Sequence, residues 1–367
     1  MRPAKLILPR GSMVKKHSIK VIIVIAIAWT VVDFLLFIFR WGAGNYPFKY
    51  TYESVNATKI ILLRELNVFF ISLIICYFLI TVLRNFLHDT SLWFNLFIKT
   101  LLLVFVAILM NFFIYFTYSV LIDGKTATHS INTFLHTTFH WQWFWQKMPE
   151  WIILFLFTQL AIEVNEKYST GVFFDIMLGK YLQPKEENRI IIFIDLKNST
   201  PIAEKLGSKE YFQFIRDVIF CISAGLMEHD GRIYQYEGDE VVAWWPHTKQ
   251  NAKKVIASMI EARKVVNKNL EVFKRNYETL PEYKAGIHTG LITIGQVGIA
   301  KKELVMSGDT INTASRIRSA CNDLNQKFLA SKEFIELVDM QNFQTESMGM
   351  IDLKGKNQTM ELFALKI

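Results

Sequence analysis

Arg189-Ile-Ile-Ile-Phe-Ile-Asp195 is a run of apolar, mostly β-branched residues that ends on a carboxylate. A short unbroken run of this kind reads as a buried strand. Downstream, Tyr236-Glu-Gly-Asp-Glu240 sets a second acid, Asp239, at a Gly-Asp turn between two strands, Gly231–Glu237 and Glu240–Pro246, the pattern of a hairpin. Further on, Gly308-Asp-Thr-Ile-Asn312-Thr-Ala-Ser-Arg316 opens a helix with an amide and a guanidinium four residues apart, hence on one face. The remaining pattern predicts helices over Ser199–Leu206, Lys209–Glu228, Lys249–Tyr277 and Asp309–Cys321. It also predicts a second hairpin, Glu282–Gly290 with Leu291–Gly298, and closing strands near Met350–Lys354 and Glu361–Leu365. Helices alternating with hairpins on one sheet predict an α+β palm-like domain over residues 188–367.

The first half of the chain differs in kind. Of 367 residues 51% are hydrophobic, including 30 Phe, too apolar for one soluble domain. Ile19–Phe39, Leu66–Leu83 and Phe97–Ile122 are long enough to cross hydrocarbon, and Trp151–Val164 is a shorter fourth run behind an interfacial cluster of Trp141, Trp143 and Trp145. The expectation is a multi-pass α-helical membrane domain of four transmembrane helices over 13–164, with three spans as the competing count. Residues 1–12, ending Leu-Pro-Arg-Gly-Ser, read as an expression-tag remnant. Residues 165–187 read as a connecting helix stopped by Pro184, a dimer seam and transducer, or a plain spacer. An even span count puts both ends on one side of the membrane, and the expectation is that the globular domain lies in the cytoplasm, with the chain in the inner membrane. Asp33, inside the first run, is expected to make a packed hydrogen bond to another helix, with a sensing or cofactor contact as the alternative. The net charge of +8 suits juxtamembrane lysines and a polyphosphate substrate better than nucleic acid, which is excluded as a partner. Cys76, Cys221 and Cys321 show no paired spacing and read as reduced thiols.

His129, His136 and His140 fall within about 40° of one another at 100° per residue of helix. With His88 near a span end, they are candidate ligands for a transition metal or haem in the membrane domain. The bland alternative is a wet amphipathic helix with no ligand.

Asp195 and Asp239, held at strand ends, are the candidate ligands for Mg²⁺ or Mn²⁺, two per site, since such cations prefer oxygen donors and leave positions open for phosphate. The matching segments Phe193-Ile-Asp195-Leu-Lys-Asn-Ser199-Thr200, Gly238-Asp239, Gly286-Ile-His-Thr-Gly290, Gly308–Arg316 and Leu353-Lys354-Gly355-Lys356 resemble, taken together, the catalytic domain of class III adenylyl and guanylyl cyclases. The resemblance covers residues 188–367. It implies a head-to-tail homodimer in which Asp195 and Asp239 of one protomer bind the metals. Asn312 and Arg316 of the other would orient the ribose and stabilise the pentavalent phosphorus. Lys354 would touch the terminal phosphates, and Leu196, Lys197, Asn198, Ser199 and Thr200 would cradle them. The reaction implied is attack of the ribose 3′-hydroxyl on the α-phosphorus of ATP, with pyrophosphate leaving.

The base-selecting positions depart from the family pattern. Gln235 stands where adenylyl members carry Lys, and Val305 where they carry Asp or Thr; guanylyl members have Glu and Cys. Gln can donate or accept toward either base, so GTP is the alternative substrate to ATP. A non-catalytic receptor with a cyclase-like domain is a further alternative, against which the intact acids, Asn312 and Arg316 argue. A diguanylate cyclase is suggested only by Glu237-Gly-Asp-Glu240, and a helix carrying Asn312 and Arg316 has no place in that chemistry.

Overall fold

A computed structural model describes residues 6, 12–42, 57–83, 92–121, 123–138, 152–156, 158–159, 179–299, 302–338, 344–356 and 359–367. The chain divides into two units, Lys15–Val164 and one holding Asn165–Ile367. In the first, helices α1 (Ser12–Gly42), α2 (Ala57–Tyr77) and α3 (Leu92–Leu121) are followed by a short α4 (Ala127–Thr133). π-helical turns extend α2 over Phe78–Leu83 and α4 over Phe134–Thr138. Val21–Phe39, Ile61–Ile80 and Phe97–Leu121 are long and apolar enough to cross a membrane.

Helix α2 starts nine residues before the expected Leu66, so Arg64 lies inside it rather than in a loop. There its guanidinium pairs with Asp33 of α1 at 2.7 Å and lies 4.6 Å from the ring centre of Phe37. The inter-helix contact expected of Asp33 is therefore an ion pair. Of the fourth apolar run, residues 152–156 and 158–159 are helical. Trp29 Nε1 donates to Thr158 Oγ1 at 2.8 Å, and its ring packs 5.1 Å from Phe155. The rest of that run, the preceding tryptophan cluster and the connector as far as residue 178 lie outside the described residues.

The second unit carries β1 (Lys185–Leu196), α5 (Ser199–Leu206), α6 (Ser208–Glu228), β2 (Arg232–Glu237), β3 (Glu240–Pro246), α7 (Lys249–Lys268) and α8 (Leu270–Tyr277). It continues with β4 (Tyr283–Val297), β5 (Glu303–Ser307), α9 (Asp309–Asp323), β6 (Phe328–Ser331), α10 (Lys332–Val338), β7 (Thr345–Ile351) and β8 (Met360–Leu365). One sheet runs β2-β3-β1-β4-β6-β8-β7, with β5 paired to β4. Only β4 and β6 are parallel neighbours among the paired strands described.

β1 lacks alternation because both faces of the sheet are covered. Ile190, Ile192, Ile194 and Leu196 pack with Phe214 of α6, Val255 of α7, Phe273 of α8 and Phe334 of α10. Ile191 and Phe193 pack on the other face with Trp244 and with Ala314 of α9. Strand period two puts Asp195 on that second face, the one α9 covers.

Two expectations fail here. The second hairpin is one continuous strand, β4, paired with β1 from Lys185↔Ile294 to Leu196↔Tyr283. Its glycines serve close approach rather than a turn. A Cβ at Gly290 would lie 2.6 Å from Thr310 Oγ1, and one at Gly286 would lie 2.2 Å from the backbone nitrogen of Arg318. The long helix expected over Lys249–Tyr277 is two, α7 and α8, broken at Asn269. That residue leaves helical geometry at φ −105°, ψ 3°, and its buried amide donates to Val265 O at 2.9 Å.

Candidate active site

β1 delivers Asp195 to the sheet end, and the two-residue turn Gly238-Asp239 joins β2 to β3 beside it, β3 being paired to β1 as far as Ile194↔Val241. Gly238 makes this turn possible with φ 59°. Asp195 is close enough for its charge to raise the cost of charging Asp239. Burial first, and then the Asp195 charge, hold the Asp239 carboxyl above its ordinary range, against a hydrogen bond from Ser199. Asp239 Oδ2 is buried with no hydrogen-bond partner. The hydroxyl of Tyr211 is also pushed upward, by burial and by the Asp239 charge.

Asp195 is surrounded differently. Its Oδ2 takes Arg318 Nη1 at 2.9 Å and Lys284 Nζ at 3.2 Å. Lys284 faces Asp195 across the β1–β4 ladder and also donates to Asn322 Oδ1 at 3.1 Å. The other arm of Arg318, Nη2, reaches Glu240 Oε2 at 2.6 Å. Glu240 opens a buried strand, and burial lifts its carboxyl to about 6 in spite of Arg318.

Helix α9 presents two arginines to two places. Arg318 faces the aspartates, whereas Arg316, about 200° away around the helix, lies against the turn that carries Lys354. A Cβ at Gly355 would sit 3.3 Å from Arg316 Nη2. Lys356 pairs with Asp309 at 2.9 Å, tying that turn to the start of α9. Asn312 and Lys354 are both exposed. Within one chain, then, Asn312, Arg316 and Lys354 form one group, and Asp195 with Asp239 another.

The segment Leu196–Thr200 borders a polar cavity of about 480 Å³ together with Lys284 and Asn322. Asn198 adopts a left-handed conformation, φ 58°, as the chain turns into α5, one that Asn tolerates better than most side chains. Lys197 N donates to Glu282 O at 2.7 Å. Gln235 lies on β2 and Val305 on β5, next to the residues of a direct link: Met306 N donates to Tyr234 Oη at 2.9 Å. Gln235 Nε2 is 3.3 Å from Glu237 Oε2.

Residues 182–366 match the adenylate and guanylate cyclase catalytic domain. The chain belongs to that family. It is 26% identical over 207 residues to adenylate cyclase 2 of Rhizobium meliloti, covering 56% of this chain and 57% of the relative. It is 21% identical over 202 residues to a receptor-type guanylate cyclase of Caenorhabditis elegans, covering 53% and 18%. A solved bacterial light-regulated adenylyl cyclase superposes with TM-score 0.52 at 16% identity, over 63% of this chain and 67% of that one. The chain thus spans little more than half, or less, of the two curated relatives it matches.

The cyclase domain fits the divalent cations its family uses. Two hard carboxylates lie close together at strand ends, and one buried oxygen has no hydrogen-bond partner. The histidines described in the first unit do not assemble in this way. His129 and His136 are both exposed, and the π-helical turn at Phe134–Thr138 breaks the 100° register on which their stripe depended. His88 and His140 lie outside the described residues. Among the described residues no three His, Cys, Asp or Glu side chains are grouped so as to hold a metal ion, and haem finds no support there. The aspartates of the cyclase domain are a pair, not a trio.

Arg318 and Lys284 were not legible as site residues. One weak signal exists for Arg318, which borders the stripe Ala314, Ile317 and Cys321 by which α9 packs on the sheet. Glu240, next to Asp239, is likewise buried against that guanidinium.

Proposed function

We propose that the chain is a membrane-bound adenylate cyclase that converts ATP to 3′,5′-cyclic AMP and pyrophosphate at the interface of a homodimer. The observation that carries this is the Asp195–Asp239 pair, with a buried oxygen lacking a partner. Those two side chains would hold Mg²⁺ or Mn²⁺, which when bound supplies Lewis-acid activation of the ribose hydroxyl and neutralises the leaving polyphosphate. The chain's own groups do the rest. Leu196–Thr200 cradles phosphate oxygens, and Lys354 adds charge at the terminal phosphate. Asn312 orients the ribose, and the fixed fork of Arg316 meets charge developing on the α-phosphorus. Because Arg316 and Asn312 face away from the aspartates of their own chain, a second copy is the natural source of both. Gln235 and Val305 border the base. The choice of ATP is supported by the adenylate cyclases among the relatives.

The apolar first half, with three helices of spanning length and a fourth run at Trp151–Val164, anchors the enzyme in the inner membrane with the catalytic domain in the cytoplasm. Four spans exceed what tethering needs, and this supports a regulatory part for that half and for residues 165–187.

Purified protein given ATP and GTP side by side with Mn²⁺ or Mg²⁺ tests the reading. Cyclic AMP as the main product is expected. An excess of cyclic GMP would reverse the substrate assignment, and no cyclic product from either would end the enzymatic reading.

A further inference from the structure

Three carboxylates, those of Asp195, Asp239 and Glu240, face two fixed cations, Arg318 and Lys284. The cations are unevenly shared. Both contact the same oxygen of Asp195, one also grips Glu240, and Asp239 Oδ2 is left with no hydrogen-bond partner. Arg318 also spans the two strands that carry the aspartates, since Asp195 lies on β1 and Glu240, next to Asp239, opens β3. Its position is held by the close seat of α9 on β4, where Gly286 leaves no room for a side chain. Arg318 Nε is buried without a partner. The two arms on carboxylates are thus the polar anchors of a half-buried guanidinium.

Resting on the metal-binding reading of the aspartates, we propose that Arg318 is a positioning residue, which fixes the spacing of the carboxylates while no cation is bound and weakens the site's affinity for divalent cations. A planar guanidinium gives each carboxylate its own nitrogen in a fixed fork, a spacing that the single nitrogen of an ammonium does not impose. Its charge also repels an incoming cation. A unit charge about 6 Å from a divalent ion, even with water-like screening, costs on the order of tenfold in affinity.

The test uses the full chain in detergent, with Mn²⁺ alone as probe and no nucleotide. Free Mn²⁺ is followed by electron paramagnetic resonance, and the thermal midpoint of the metal-free protein is measured alongside. Arg318→Gln is expected to bind Mn²⁺ about tenfold more tightly than the parent and to melt at a lower temperature without metal. Arg318→Lys keeps the charge but loses the bridge. It should keep Mn²⁺ affinity within about threefold of the parent while sharing the lower melting temperature. If Arg318→Gln does not fold, Lys284→Gln reports the charge effect on the same oxygen, with the same tightening expected. Unchanged or weaker Mn²⁺ binding in the charge-removing variant overturns the inference, as does an unaltered thermal midpoint in Arg318→Lys. Binding that survives Asp239→Asn in the parent, or no Mn²⁺ binding at all, overturns the metal reading itself and this inference with it. A cyclase assay on the same samples separates that failure from a failure of the catalytic reading.

Discussion

Asp195 and Asp239 are the same residue type at neighbouring sheet ends, yet they sit in opposite surroundings. Asp195 has two cations on one oxygen, at 2.9 Å and 3.2 Å. Asp239 has a buried oxygen with no hydrogen-bond partner and a carboxyl held above its ordinary range by burial and by Asp195. The contrast teaches where each environment comes from. The turn that makes Asp239 is local, two residues between paired strands. The cations at Asp195 arrive from β4 and α9, about 90 and 120 residues later in the chain. The end of β1 is already neutralised by the fold, whereas the acid of the β2–β3 turn has no such pair of cations among the described residues.

If both acids hold cations in the reaction, activity cannot tell them apart. Asp195→Ala and Asp239→Ala should each lower cyclic nucleotide production by at least about 10³-fold. Arg316→Ala should cost about 10²–10⁵-fold, and mixing it with Asp239→Ala should restore part of the activity by pairing one intact half-site from each chain. Rates above about a tenth of the parent in either aspartate variant would break the pairing. Failure of the mixed sample would break the two-chain site.

Gly286→Ala probes the Asp195 side alone. A Cβ there would meet backbone atoms of α9 at 2.2 Å and 2.7 Å, so helix and strand must part. The expected cost is about 2–4 kcal/mol of stability, at or above the usual range for overpacking because the obstacle is backbone. Urea unfolding of the second unit's signal measures it. A loss under about 0.5 kcal/mol would mean that α9 does not sit as close to β4 as Arg318 requires.

These two environments were unequally legible in the sequence. The apolar run to Asp195 and the Gly238-Asp239 turn carry their own signals, a buried strand and a tight hairpin, so both acids and their strands could be placed. Asn312 and Arg316 could be set on one helical face by spacing alone. What failed were features decided at a distance. Gly290 looks like a turn but is a close-approach residue, because Thr310 packs where its side chain would be. Asn269 breaks a helix whose apolar periodicity gives no warning. Arg318 reads as one more surface arginine until α9 is laid on β4, and Glu240 reads as exposed until β3 proves buried on both faces. In the apolar half, Arg64 lies just outside the run Leu66–Leu83 and is nonetheless the helical partner of Asp33.

The smallest effect is the most discriminating, because it should change sign between the two acids. Asparagine removes the charge while nearly preserving shape. At Asp239 it removes a buried negative charge that has no cation beside it and that repels Asp195. The metal-free protein should therefore gain stability, about 1 kcal/mol after allowing for a carboxylate that is only half-buried. At Asp195 the same change strips Lys284 and Arg318 of their shared partner. Stability should fall by about 1–2 kcal/mol, since one charge of an interacting set is lost and two cations are left facing each other. Thermal or urea midpoints measured without divalent cations at neutral pH read both shifts, and added Mn²⁺ should stabilise the parent but not the Asp239→Asn protein. Two shifts of the same sign would mean that the cations at Asp195 and the bare oxygen of Asp239 are not the electrostatic opposites that their surroundings make them.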